Sequence, residues 1–81
     1  MVLIVIENPE EIRNGSLRTA LVSGVENLLV PVDLLDNNPN LERERRIAIQ
    51  SALENKQNYN PQPIKINGRE YIYYELVGGG E

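Results

Sequence analysis

Residues 61–81 read PQPIKINGREYIYYELVGGGE, and the way this stretch folds decides how the rest of the chain must pack. Asn67-Gly68 between two apolar runs is a strong hairpin signal, because a type I′ turn needs positive φ at both central positions. Counting outwards from that turn pairs Ile66 with Arg69, Lys65 with Glu70 and Ile64 with Tyr71. Lys65 then faces Glu70 across the strands, a favourable charge pair worth roughly a few tenths of a kcal/mol. In the second arm residues 70, 72, 74 and 76 alternate with 71, 73 and 77, and both sets are mainly apolar or aromatic. A strand over 70–77 is therefore expected inside a sheet rather than at its edge. The first arm is expected over 63–66.

Upstream of the hairpin, LERERRIAIQSALENKQ predicts a helix over about 40–57, with Leu41, Ala48, Ile49, Ala52 and Leu53 on one stripe and the charges elsewhere. Asn38 or Asn40 is suited to cap it, Pro39 suits its first position, and Asn58, Asn60 and Pro61 end it. Before it, LLVPV (28–32) reads as a short strand that Pro31 confines to an edge or a strand end. The Asp- and Asn-rich run from Asp33 to Asn40 is a turn region in which Leu34 and Leu35 form one helical turn. At the start, VLIVI (2–6) is apolar throughout and reads as a buried strand, stopped by Glu7-Asn8-Pro9. Between them Leu17, Ala20, Leu21, Val25, Leu28 and Leu29 recur at helical spacing after Ser16, a candidate N-cap, which favours a helix over about 16–27. An extended LRTALVSG stays open, because Thr19, Val22 and Val25 accept either geometry and Gly24 weakens a helix. The expected fold is α+β: one domain over residues 1–81, with a small mixed sheet from strands near 2–6, 28–32, 63–66 and 70–77 and the 40–57 helix packed against it.

Composition narrows the chemistry. The 81 residues contain no cysteine and no histidine, which removes disulfides, Cys/His zinc sites, thiol nucleophiles and histidine acid–base catalysis. Four tyrosines are the only aromatic mass, since Phe and Trp are absent. Strand propensity assigns Tyr71, Tyr73 and Tyr74 to core and sheet surface ahead of a base-stacking platform. A net charge of −4 argues against a broad electrostatic footprint on DNA or on an anionic membrane. The apolar run at 2–6 is too short to span a bilayer and lacks the basic flank of a signal peptide, so a cytoplasmic protein with no membrane partner is expected.

Taken in order, Val30-Pro31-Val32-Asp33-Leu34-Leu35, then Asn38-Pro39-Asn40-Leu41-Glu42-Arg43, a helix, Gln62-Pro63-Ile64 and Glu75-Leu76-Val77-Gly78-Gly79-Gly80-Glu81 resemble the N-terminal domain of ParB-like proteins, a superfamily that includes sulfiredoxin. The resemblance covers about residues 29–81 and leaves 1–28 as an added strand and helix. It implies a ParB/sulfiredoxin-like fold and a nucleotide- or phosphate-binding role connected with DNA partition, modification or regulation, with CTP or another nucleotide and Mg as ligand. The implied site residues are Gly78, Gly79, Gly80 and Glu81 of the phosphate loop, Gln62 and Pro63 beside the base, and Arg43 reaching towards the site. Glycines allow a backbone to approach an anion closely. In ParB-like domains arginines and a helix follow this loop; here the sequence stops at Glu81, so the resemblance implies a cradle truncated after GGGE and no independent catalysis.

Sulfiredoxin chemistry needs a sulfur nucleophile where Gly80 stands, and the chain has none. Asp33, Asp36, Glu75 and Glu81 form no recognisable metal-binding spacing, which counts against a ParB-like nuclease or phosphotransferase. GGGE also reads as a plain chain terminus, and ERERR as a mixed-charge solvated helix face. The alternative function is a small interaction or regulatory module without a ligand. DNA is then reached indirectly or through a larger protein, and the module's own partner is a protein or a second copy of the chain.

Overall fold

A computed structural model describes residues 2–79. It is a small α+β domain in which a four-stranded mixed sheet carries helices on one face. The elements are β1 (Leu3–Val5), α1 (Glu10–Arg13), α2 (Ser16–Val22), β2 (Asn27–Pro31), a 3₁₀ turn over Val32–Leu34, α3 (Pro39–Glu54), β3 (Gln57–Ile66) and β4 (Arg69–Gly79). Strand order is β1-β2-β4-β3, with β1 parallel to β2 and the other pairs antiparallel.

The hairpin register is the one the turn dictates: Ile66 faces Arg69, Lys65 faces Glu70 and Ile64 faces Tyr71. Asn67 and Gly68 both hold positive φ, at 50° and 83°. An alanine at Gly68 would meet no atom within 4 Å, so its cost is backbone strain alone. Gly68→Ala is expected to lose about 1 kcal/mol of stability, the penalty of left-handed backbone for a side chain. A urea melt followed by circular dichroism measures it, and an unchanged midpoint would contradict the turn assignment.

β4 lies inside the sheet, between β2 and β3, as its two apolar faces require. β2 is also interior, lying between β1 and β4; Pro31 is tolerated because it is the last residue of the strand. β3 begins at Gln57, not at 63, and extends through Pro61 and Pro63 along an edge of the sheet. A two-residue type I′ hairpin closes on a hydrogen-bonded pair, so Gln62 and Ile64 bond to β4 while Pro61 and Pro63 turn their missing N–H groups to the outer side.

Other boundaries differ from the sequence reading for local reasons. α3 stops at Glu54, and Lys56, at φ 65°, turns the chain directly into β3. Asn38 caps it as expected, its Oδ1 accepting from the Leu41 N–H at 3.4 Å with Pro39 at the first position. Leu53, placed by periodicity on the buried stripe, is 58% exposed, because it lies about 100° around the helix from the fully buried Ala52 and so turns out of the packed face. α2 ends at Val22, short of 27, since Gly24 takes φ 84°. Ser16 is its first residue instead of its cap; the Asn14 side chain accepts from the Ser16 N–H at 2.9 Å. α1, absent from the sequence reading, is nucleated by a reciprocal pair: Asn8 Oδ1 accepts from the Glu10 N–H, while Glu11 Oε1 accepts from the Glu7 and Asn8 N–H groups. β1 is an edge strand and not a buried one: Leu3 and Val5 are exposed, and only Ile4 and Ile6 turn to the core.

That core gathers Ile6 with Ile12, Leu17 and Leu21 from α1 and α2, Leu28 and Val30 from β2, Leu41, Ala48 and Ala52 from α3, and Tyr74 from β4. Among the described residues every buried side-chain nitrogen and oxygen has a hydrogen-bond partner.

Candidate functional site

The glycines follow from a central strand. β4 runs from the hairpin between β2 and β3 and ends in Gly78 and Gly79, which pair with Asn58 and Gln57 of β3. Gly78 is exposed, and a Cβ built on it meets nothing within 4 Å, so its backbone is open to an approaching group. Gly80 and Glu81 lie outside the described residues.

Gln62 and Pro63, both exposed, pair with Tyr73 and Ile72 at the middle of β3. Four residues of strand separate Gln62 from the partner of Gly78, about 13 Å at the rise of an extended chain. Arg43 is exposed on α3, two residues and hence roughly 200° around the helix from the buried Leu41. The helix therefore turns Arg43 to its solvent side. Gly78, the Gln62-Pro63 step and Arg43 are not gathered into one pocket, and neither of the clefts described below is lined by any of them.

The polar side chains that link different elements gather elsewhere in the fold. Arg45 grips Glu42 with two charge-assisted bonds, at 2.9 and 2.6 Å, and donates a third at 2.6 Å to the Tyr74 hydroxyl. The bond from Arg45 holds the Glu42 carboxyl below the usual range, and burial pushes the Tyr74 hydroxyl up. This is a polar anchor for the ring at the centre of the core. Tyr59 donates at 2.6 Å to the Val25 carbonyl and ties β3 to the segment before β2; burial raises its pKa too.

Arg69 makes a two-bond pair with Asp33, both at 2.8 Å, and lies over the Tyr71 ring at 5.6 Å from its centroid. The hydrogen bond from Arg69 lowers the Asp33 pKa. The pair is exposed, so its contribution is small and its effect is to fix the 3₁₀ turn beside the hairpin.

On the face of the sheet opposite the helices, Tyr73 donates to Asn27 Oδ1, and Asn27 Nδ2 donates at 3.1 Å to the Val2 carbonyl. This chain of bonds crosses from β4 through β2 to the segment entering β1. Beside it lies an apolar hollow of about 220 Å³ lined by Leu3, Asn27, Leu29, Ile64, Ile66 and Tyr73. A second, broader depression of about 400 Å³ lies between α2 and α3, over Arg18, Thr19, Val22, Ser23 and Ser51.

The apolar hollow was missed in the sequence. Its signal was present in the two-sided apolar pattern of β4 and in VLIVI, which were both read as evidence of burial. Among the described residues no cluster of three Asp, Glu, His or Cys side chains fits a metal ion, and no helix is long and apolar enough to cross a membrane. No protein-family model, curated protein or solved structure matches the chain.

Proposed function

We propose that this chain is a ParB-like nucleotide- or phosphate-binding domain connected with DNA partition, modification or regulation, one that binds rather than catalyses. One observation carries the reading: the order strand, 3₁₀ turn, Asn-capped helix, Gln62-Pro63 strand and glycine-ended strand is collinear with the ParB-like pattern, and the glycine-ended strand is interior to the sheet. Gly78 offers open backbone at the end of that strand, the local chemistry that an anion needs. Gln62 lies about 13 Å from Gly78 along the sheet, so the two would meet opposite ends of an extended nucleotide such as CTP with Mg, whereas Arg43, on the solvent side of α3, would have to be drawn in.

The test is an amide-shift titration with CTP, the other nucleoside triphosphates and inorganic phosphate, with and without magnesium. Shifts concentrated at Gly78, Gly79, Gln62 and Ile64 are expected. Gly78→Ala, which meets no neighbour and needs no positive φ, should fold normally and blunt the response. Millimolar ligand that moves none of these amides would overturn the proposal.

A further inference from the structure

Two asparagines of the chain, Asn14 and Asn67, are followed by glycine. The step matters chemically because an asparagine side-chain amide is open to attack by the backbone nitrogen of the next residue, and glycine has no Cβ to shield that nitrogen. By sequence the two steps are equal, and both asparagines are exposed. Their hydrogen bonds separate them. At Asn14 the groups that must move are already held: Oδ1 accepts from the Ser16 N–H at 2.9 Å and from the Ser16 hydroxyl at 2.7 Å, and the Gly15 N–H donates to the Ile12 carbonyl at 3.4 Å. Asn67 and Gly68 form the two-residue tip beyond the facing pair Ile66 and Arg69, and among the described residues neither makes a hydrogen bond through backbone or side chain. A Cβ built on Gly68 meets nothing within 4 Å, so the space around the tip is open as well.

We propose that Asn67 is a site of spontaneous covalent modification, at which the Gly68 nitrogen closes on the side-chain amide. The inference rests on the hairpin tip alone and is independent of the nucleotide reading. A bond forms from the Gly68 nitrogen to Asn67 Cγ, the bond from Cγ to Nδ2 breaks, and ammonia leaves with the proton that Gly68 gave up, which makes a five-membered imide. Water then opens the imide at either carbonyl. Opening at the side-chain carbonyl gives aspartate, and opening at the main-chain carbonyl gives isoaspartate, whose backbone runs through Cβ. Asp-Gly suits a type I′ turn as Asn-Gly does. Isoaspartate instead adds one methylene to a turn whose length fixes the register. Ile66 then no longer closes against Arg69, the residue that also holds Asp33, and the pairing of Lys65 with Glu70 loses the turn that sets it.

Incubation of the folded chain in warm, mildly alkaline buffer, followed by digestion and mass spectrometry that tells isoaspartate from aspartate, tests this. Breaking two ordinary hydrogen bonds slows a step by roughly tenfold or more, so Asn67 is expected to convert at least about ten times faster than Asn14. In the urea-unfolded chain, where those bonds are gone, the two rates are expected to converge. Gly68→Ala should slow conversion at Asn67 and leave Asn14 unaltered. The isoaspartyl chain, separated by chromatography, should unfold at a lower urea midpoint than Asn67→Asp, which stays near the wild type. Conversion at Asn14 that keeps pace with Asn67 in the folded chain would overturn the proposal, as would an Asn67 that stays intact when folded but converts in urea. Equal midpoints for the isoaspartyl and Asn67→Asp chains would contradict the loss of register.

Discussion

Tyr74→Ala is expected to destabilise the domain strongly and to shift its urea midpoint far below that of the wild type. The ring is fully buried in a core that draws on every layer of the fold, and it is the largest side chain there. Truncating a large buried ring costs about 3–5 kcal/mol. At ordinary stability per residue a chain of this length has about 4–12 kcal/mol in total, so the loss takes about half of a mid-range value. The hydroxyl adds a smaller part. Tyr74→Phe keeps the ring but removes the acceptor from Arg45, whose Glu42 bonds remain, and is expected to lose about 1 kcal/mol. Urea unfolding followed by circular dichroism separates the two. A Tyr74→Ala midpoint as high as that of Tyr74→Phe would show that the ring is not the centre of the core.

The second large effect is a contrast between two leucines. Leu21 is fully buried where α2 packs on α3, and Leu21→Ala is expected to destabilise by about 2–5 kcal/mol. Leu53, on the apolar stripe of α3 by spacing, is exposed, and Leu53→Ala is expected to stay within about 0.5 kcal/mol of the wild type. Equal losses at the two sites, read as urea midpoints, would mean that Leu53 is covered and that the packed face of α3 differs from the one described.

This contrast also marks where the sequence was legible. Elements fixed by local chemistry could be read directly: the Asn67-Gly68 turn, which sets a register residue by residue, and the Asn38-Pro39 start of α3. The α+β class followed from them. Burial was harder, because an apolar residue states that it avoids water without saying whether the fold covers it. VLIVI and Leu53 were both read as buried, but β1 is an edge strand with one side open and Leu53 sits about 100° around α3 from the buried Ala52. The first helix was hidden by Asn8-Pro9, a turn signal that also begins a helix once Glu11 reaches back to it. At the candidate site, pattern order showed which residues to examine but not their distances. The open backbone of Gly78 fits that reading, while Arg43 faces solvent because helix phase placed it there.

The two rims of the sheet are unequal. Pro61 and Pro63 strip donors from the outer side of β3, and a bulge between Asn58 and Tyr59 disturbs its line, whereas β1 carries neither charge nor proline. Fibre growth requires each molecule to offer two competent rims so that one can join the next without end. This chain has one. Strand-by-strand addition would close after a single β1-to-β1 union, so an unprotected apolar strand is kept from seeding an open polymer by the prolines at the far side of the sheet.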